Sequence, residues 1–189
     1  HRLERQPFPP DLEGITGQLF DYVGPEMNTL YNTVFANRWL FGGILETQLS
    51  AKPGPNASIR TTTAPTILRA GMKDNVLPAI AEAQVNFRIL PGESIETVIE
   101  YVQGVIDDER IVVSEQDPTK SFEPSKVSAT DAFGFTVLQK TAAQLFPEAI
   151  VAPALMIGAT DSRNYHGLSE SVYRFSPIHV HNSDLKRIH

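Results

Sequence analysis

The sequence predicts an α+β chain in two units. Residues 1–120 read as a ferredoxin-like unit, an antiparallel sheet with two helices that lacks its first strand, and residues 121–189 as part of an α/β unit. Three observations carry this prediction. Residues 81–90 alternate, with Ala81, Ala83, Val85, Phe87 and Ile89 on one face and Glu82, Gln84, Asn86 and Arg88 on the other, as in a half-buried strand. A helix follows from Ser94, with an apolar stripe of Ile95, Val98, Ile99, Val102, Val105 and Ile106. Residues 150–157 are continuously apolar and run straight into Gly158-Ala159-Thr160-Asp161-Ser162-Arg163, the pattern of a strand buried on both faces with a polar loop at its carboxyl end.

Taken in order, His1-Arg2-Leu3-Glu4-Arg5 reads as a helix tail, broken by Gln6-Pro7-Phe8-Pro9-Pro10. Residues 11–49 are mostly helical, interrupted at Gly24-Pro25 and Gly42-Gly43. Ile15, Leu19, Phe20 and Val23 share one face, as do Leu40, Ile44, Leu45 and Leu49. Phe35, Trp39, Leu40 and Phe41 are expected in the core. Lys52-Pro53-Gly54-Pro55-Asn56 reads as a turn, and residues 59–68, rich in Thr and β-branched side chains, as a strand. Pro91-Gly92 ends the alternating strand, Ser94 is the expected N-cap of the next helix, and residues 110–114 are a further short strand. Residues 115–129 form a crossing segment. Ser128-Ala129-Thr130-Asp131 has the shape of a capping box before a helix packed through Phe135, Leu138, Ala142 and Leu145. Residues 172–177 are the last predicted strand.

Composition narrows the function. The 189 residues are 41% hydrophobic and 20% charged, which fits a globular chain rather than a disordered one. Net charge is −6, with 16 basic and 22 acidic residues and no basic run, so nucleic acid is not the expected partner. No apolar run is long enough to span a bilayer. Cysteine is absent, so disulfides and thiolate zinc sites are excluded, and any metal here must use His, Asp or Glu. The compartment stays open. The chain opens without Met and stops at His189, and is expected to be a fragment of a longer polypeptide.

Three constellations could carry chemistry. Asn75 offers an amide that donates and accepts, and Arg88 a planar fork suited to a carboxylate; together they could grip a small anion or a carbonyl gaining charge. The plainer reading is a turn Asn and an exposed strand Arg. Thr160 or Asp161 could cap a short helix, and the same turn, with Arg163, could face an anion. His179 and His181 would share one face of a strand and could hold zinc, although a solvated pair is the simpler reading. The chain has no Gly-rich phosphate loop, Ser nucleophile elbow or HExxH motif.

Arg60-Thr61-Thr62-Thr63-Ala64, Asn75-Val76-Leu77-Pro78, Val85-Asn86-Phe87-Arg88-Ile89-Leu90-Pro91-Gly92, Thr160-Asp161-Ser162-Arg163, Tyr173-Arg174-Phe175 and Lys186-Arg187-Ile188-His189 occur in that order. As a set they resemble the zinc metallopeptidases of the carboxypeptidase S and aminoacylase type, in the branch of N-fatty-acyl-amino-acid synthase/hydrolases. The resemblance implies a hydrolase that cuts an amide or peptide bond next to a free carboxylate, in an N-acyl amino acid or a peptide. It implies a catalytic α/β domain with two zinc ions, and an inserted ferredoxin-like lid that mediates homodimerisation. Residues 1–120 would be that lid, enlarged by the helices of 11–49, and residues 121–189 the C-terminal part of the catalytic domain. Asn75 and Arg88 would bind substrate and stabilise the oxyanion, Thr160 and Arg163 would line the substrate pocket, and His189 would be a zinc ligand. The family's other metal ligands and its general-base Glu match nothing in this chain, so these residues alone are expected to be inactive. The alternative is a dimerisation or ligand-binding module derived from that family without catalysis. A small metal-binding protein built on His179 and His181 is a third reading.

Overall fold

The computed structural model describes residues 1–176. It begins with helix α1 (Arg2–Arg5), followed by α2 (Ile15–Val23), a 3-10 turn at Gly24–Glu26, α3 (Thr29–Ala36), α4 (Arg38–Ser50) and α5 (Pro53–Ile59). Asn28 caps α3 by accepting the Tyr31 N–H at 3.1 Å. Phe20 of α2 stacks on Phe35 of α3, with ring centroids 4.5 Å apart. The Arg38 guanidinium joins α4 to α2: it donates to Asp21 Oδ1 at 2.7 Å, Glu13 Oε2 at 3.1 Å and the Phe35 carbonyl at 2.8 Å.

Those bonds set the rotation of α4 and correct one expectation. With Arg38 turned inward, Leu45 follows at helical spacing and is buried, while Trp39, Leu40 and Ile44 are turned out and are 82%, 60% and 60% exposed. Trp39 and Leu40 are therefore not core, and Leu40 and Ile44 do not share the buried face of Leu45. The predicted turn at Lys52-Pro53-Gly54-Pro55-Asn56 is also corrected. Pro53 opens α5 at a position where a missing N–H costs nothing, and the Lys52 carbonyl accepts the Asn56 N–H at 2.9 Å. Ile59, placed in the strand by its composition, ends α5 and is fully buried.

Two strands follow, β1 (Thr62–Ala70) and β2 (Ala81–Arg88), antiparallel, with Thr62 opposite Arg88 and Ala70 opposite Ala81. The register slips between Pro65 and Ile67, where proline cannot donate to the ladder. The far half of this hairpin is open to solvent, with Leu68 79% and Leu77 94% exposed. Its base is anchored. The buried Thr61 hydroxyl accepts the Leu90 N–H at 2.8 Å and donates to the Glu93 carboxylate. The Arg60 guanidinium donates to the Phe8 carbonyl, Glu46 and Ser50.

Helix α6 (Ile95–Ile106) starts on a capping box between Ser94 and Thr97 and turns Val98 and Val102 inward, as its stripe predicts. With Phe8 they form the core, against which Leu3, Phe87, Ile89, Tyr101, Ile106 and Val113 pack. Phe8 lies 4.1 Å from the Tyr101 ring and 6.0 Å from Phe87. Pattern reading took Phe8 only as part of a helix-breaking run. The flanking prolines hold it extended, and the Tyr101 hydroxyl donates to the Pro7 carbonyl at 2.9 Å.

Residues 107–132 contain no helix or strand, so the strand expected at 110–114 is not formed. Val113 packs on the core, while Ile111 and Val112 are 52% and 86% exposed, and no backbone among the described residues completes a ladder. The sheet among the described residues is thus two-stranded, and the four-stranded ferredoxin-like pattern is represented by one hairpin and the helix behind it. Helix α7 (Phe133–Leu145) buries Phe135 and Ala142 as expected and leaves Leu145 exposed. Its capping box is not formed. Ser128 instead accepts the Val172 N–H at 2.9 Å and donates to the Val172 carbonyl at 3.1 Å. Residues 150–157 and 172–176 are extended without ladder partners among the described residues, so the predicted strands there are not formed. An apolar run becomes a strand only where other backbone takes its hydrogen bonds.

Candidate functional site

An open cleft of about 2050 Å³ lies between β2, α6 and the irregular segments before and after α7. Arg88, Thr160 and Arg163 all line it. Arg88 is the last residue of β2, at the anchored base of the hairpin and on the exposed face of the strand. Its position follows from the alternation that buries Phe87 and Ile89 against Phe8.

Asn75 is elsewhere. It sits in the exposed tip between β1 and β2 and is absent from the cleft lining. Arg88 is seven residue steps from the tip end at Ala81, which at about 3.4 Å each is roughly 24 Å. One chain therefore does not bring Asn75 and Arg88 onto the same small molecule. The sequence places both at strand ends, but the register puts them at opposite ends of one hairpin.

Thr160 occupies the N-cap position of a 3-10 turn (Asp161–Tyr165), yet its side chain does not cap it. Its hydroxyl is in contact with the Ser162 hydroxyl and accepts the Arg174 Nε–H at 3.0 Å. The Arg163 guanidinium lies over the Phe122 ring, 4.4 Å from the centroid. Arg174 also donates to the Ser125 hydroxyl at 3.5 Å. On the cleft lining, the Thr119 hydroxyl, aided by Lys120, holds the Asp117 carboxyl below the ordinary aspartate range.

Sequence reasoning gave Arg174, Ser125 and Phe122 no role. Arg174 stands in a motif quoted for the resemblance, Tyr173-Arg174-Phe175, and that was its only signal. Ser125 and Phe122 lie in a segment without periodicity. Arg60 and Thr61, which open the first motif, are buried structural ties. His179, His181 and His189 lie outside the described residues. Among the described residues no three His, Asp or Glu side chains come together as a metal site. No helix among them is long and apolar enough to cross a membrane.

A family profile described as a peptidase dimerisation domain matches residues 15–112, just over half of the chain. The chain belongs to the M20 peptidase dimerisation domain family. Relatives of this family member align along its whole length. A probable carboxypeptidase S-like protein 2 of Dictyostelium discoideum is 45% identical over 188 residues, all of this chain and 36% of the relative. The N-fatty-acyl-amino acid synthase/hydrolase PM20D1 is 40% identical in Xenopus tropicalis and 38% in Homo sapiens, again over 100% of this chain and over 36% and 38% of those proteins. The chain thus spans little more than a third of the length of these relatives. No solved structure matches it significantly.

Proposed function

We propose that the polypeptide containing this chain is a zinc-dependent hydrolase of the carboxypeptidase or N-acyl-amino-acid amidohydrolase type, acting on an amide bond next to a free carboxylate. In this reading residues 1–120 form the lid and residues 121–189 belong to the catalytic domain. The observation that carries it is that Arg88, Thr160 and Arg163 line the same open cleft. Alignment of this whole chain to about a third of carboxypeptidase S-like and N-fatty-acyl-amino acid synthase/hydrolase proteins supports it.

The chemistry assigned to the described residues is holding the substrate. Arg88 donates to a substrate oxygen that carries or gains negative charge, where a charge-assisted hydrogen bond has most effect. Thr160 and Arg163 line the wall that takes the amino-acid part. Zinc is assigned to donors outside the described residues, His189 among them. Membership of a dimerisation-domain family supports a homodimer. Since Asn75 and Arg88 are separated by the length of the hairpin, Asn75 serves the cleft of the opposite subunit in such a dimer.

The test is kinetic, on the full-length protein with an N-acyl amino acid or a peptide as substrate. Arg88→Ala is expected to lower turnover by about 10²–10³-fold, the range for loss of an oxyanion-type donor. A full-length protein that binds these ligands but hydrolyses none is instead a non-catalytic ligand-binding module, and an unchanged rate in the variant removes Arg88 from the reaction.

A further inference from the structure

We propose that Arg174 is a carboxylate-binding residue of the cleft, anchoring the free acid of an N-acyl amino acid or peptide beside Thr160. This rests on the proposed function and adds a residue and a direction of binding to it.

The guanidinium is held by two hydroxyls from separate parts of the chain. Nε donates to Thr160 Oγ1 at 3.0 Å, and Nη2 donates to Ser125 Oγ at 3.5 Å. Neither hydroxyl neutralises its charge, and among the described residues Arg174 forms no ion pair with a carboxylate. Its backbone is tied down by the two residues before it. Val172 exchanges hydrogen bonds with Ser128, and the Tyr173 ring lies 5.7 Å from Phe135 while its hydroxyl donates to the Ala129 carbonyl. A guanidinium that is oriented, exposed and uncompensated suits a bidentate carboxylate.

The surrounding charge points the same way. The cleft lining carries seven Lys and Arg side chains and four Asp and Glu, a surplus of three positive charges, in a chain of net charge −6. Two of the seven are already paired, Arg110 with Asp108 and Lys120 with Asp117. Arg163 lies on Phe122, three residues after Thr160, which adds a second cation to the same wall. An anion entering this end is therefore attracted to a wall already organised to receive it. The Thr160 oxygen accepts from Arg174 and shares a hydrogen bond with the Ser162 hydroxyl, in which either oxygen can donate; with Ser162 as donor, the Thr160 proton is free for a carboxylate oxygen.

The full-length protein, stripped of metal, is titrated by calorimetry with N-octanoyl-leucine and with its uncharged carboxamide. The wild type is expected to bind the acid about tenfold or more tightly than the amide, as a hydrogen-bonded charge pair requires. Arg174→Ala, and Arg174→Gln as a second variant that keeps polar bulk without charge, should remove most of that preference. Affinity for the amide should change by less than about twofold in a folded variant, because Arg174 faces the charge and not the rest of the ligand. The proposal is overturned if the wild type has no preference for the acid, or if the preference survives in either variant. It is equally overturned if acid and amide weaken together, which is the signature of a structural role. Loss of the preference in Arg163→Ala or Arg88→Ala but not in Arg174→Ala moves the anchor elsewhere. Hydrolysis is measured separately on metal-loaded protein. Its absence with the acid preference intact counts against the proposed function and leaves the anchor standing.

Discussion

Replacing Arg60 by alanine should destabilise the fold by about 3 kcal/mol without changing what the cleft binds. The side chain is 5% exposed and its guanidinium donates to the Phe8 carbonyl at 2.9 Å, Ser50 Oγ at 2.9 Å and Glu46 Oε1 at 3.0 Å. Phe8 is itself 2% exposed, so stranding its carbonyl costs about 1–3 kcal/mol. Glu46 is 41% exposed and rehydrates when released, which limits the ion-pair contribution to about 1 kcal/mol or less. Two buried methylenes add about 1.6 kcal/mol. Against these, Arg60 Nε is buried without a partner, and deleting it returns roughly 1 kcal/mol. Arg60→Met retains the stem and should lose only about half as much. Urea unfolding measures both variants. With an m-value of about 2 kcal/mol/M, the alanine midpoint should fall by about 1.5 M at unchanged slope. A loss below about 1 kcal/mol would refute the claim that this side chain ties the N-terminal segment, α4 and the hairpin base together. Since Arg60 is absent from the cleft lining, weakened binding of N-acyl amino acids by a folded variant would contradict the assignment of this motif residue to structure.

Thr61→Val keeps the shape but deprives the buried Leu90 N–H of its acceptor, and should cost about 1–3 kcal/mol in the same unfolding assay. Ser94→Ala removes the cap of α6 and should cost about 1 kcal/mol, read as a lower melting temperature. Asp117 should titrate below its ordinary value of 3.8 in an NMR pH series, and Thr119→Ala should move it back up, since the Thr119 hydroxyl is the leading cause. A depressed carboxylate pKa gives stability that is present above 3.8 and is lost as pH falls through the lower folded value, so the 117–121 turn should loosen only once the pH drops below the ordinary aspartate range. Trp39→Ser should leave the melting temperature nearly unchanged, because an 82% exposed side chain has little burial to lose.

The amino-acid sequence by itself determined the elements whose signals are local. Ser94 and the stripe ending at Ile106 define α6, because capping and helical periodicity act within a few residues. The alternation of residues 81–88 defines β2 and puts Arg88 on its open face. Only the tertiary structure decided what depends on a distant partner. The hairpin register, not the strand pattern, separates Asn75 from Arg88. The ion pairs of Arg38 turn Trp39 outward, although its composition marks it for a core. Ser128 leaves the helix it could cap for the backbone of Val172, 44 residues away. Arg174, one residue of a short motif, becomes part of a site only because Thr160 and Ser125 reach it from other segments. Periodicity and capping are readable along a chain, whereas rotation, register and hydrogen-bond partners are set by which surfaces meet.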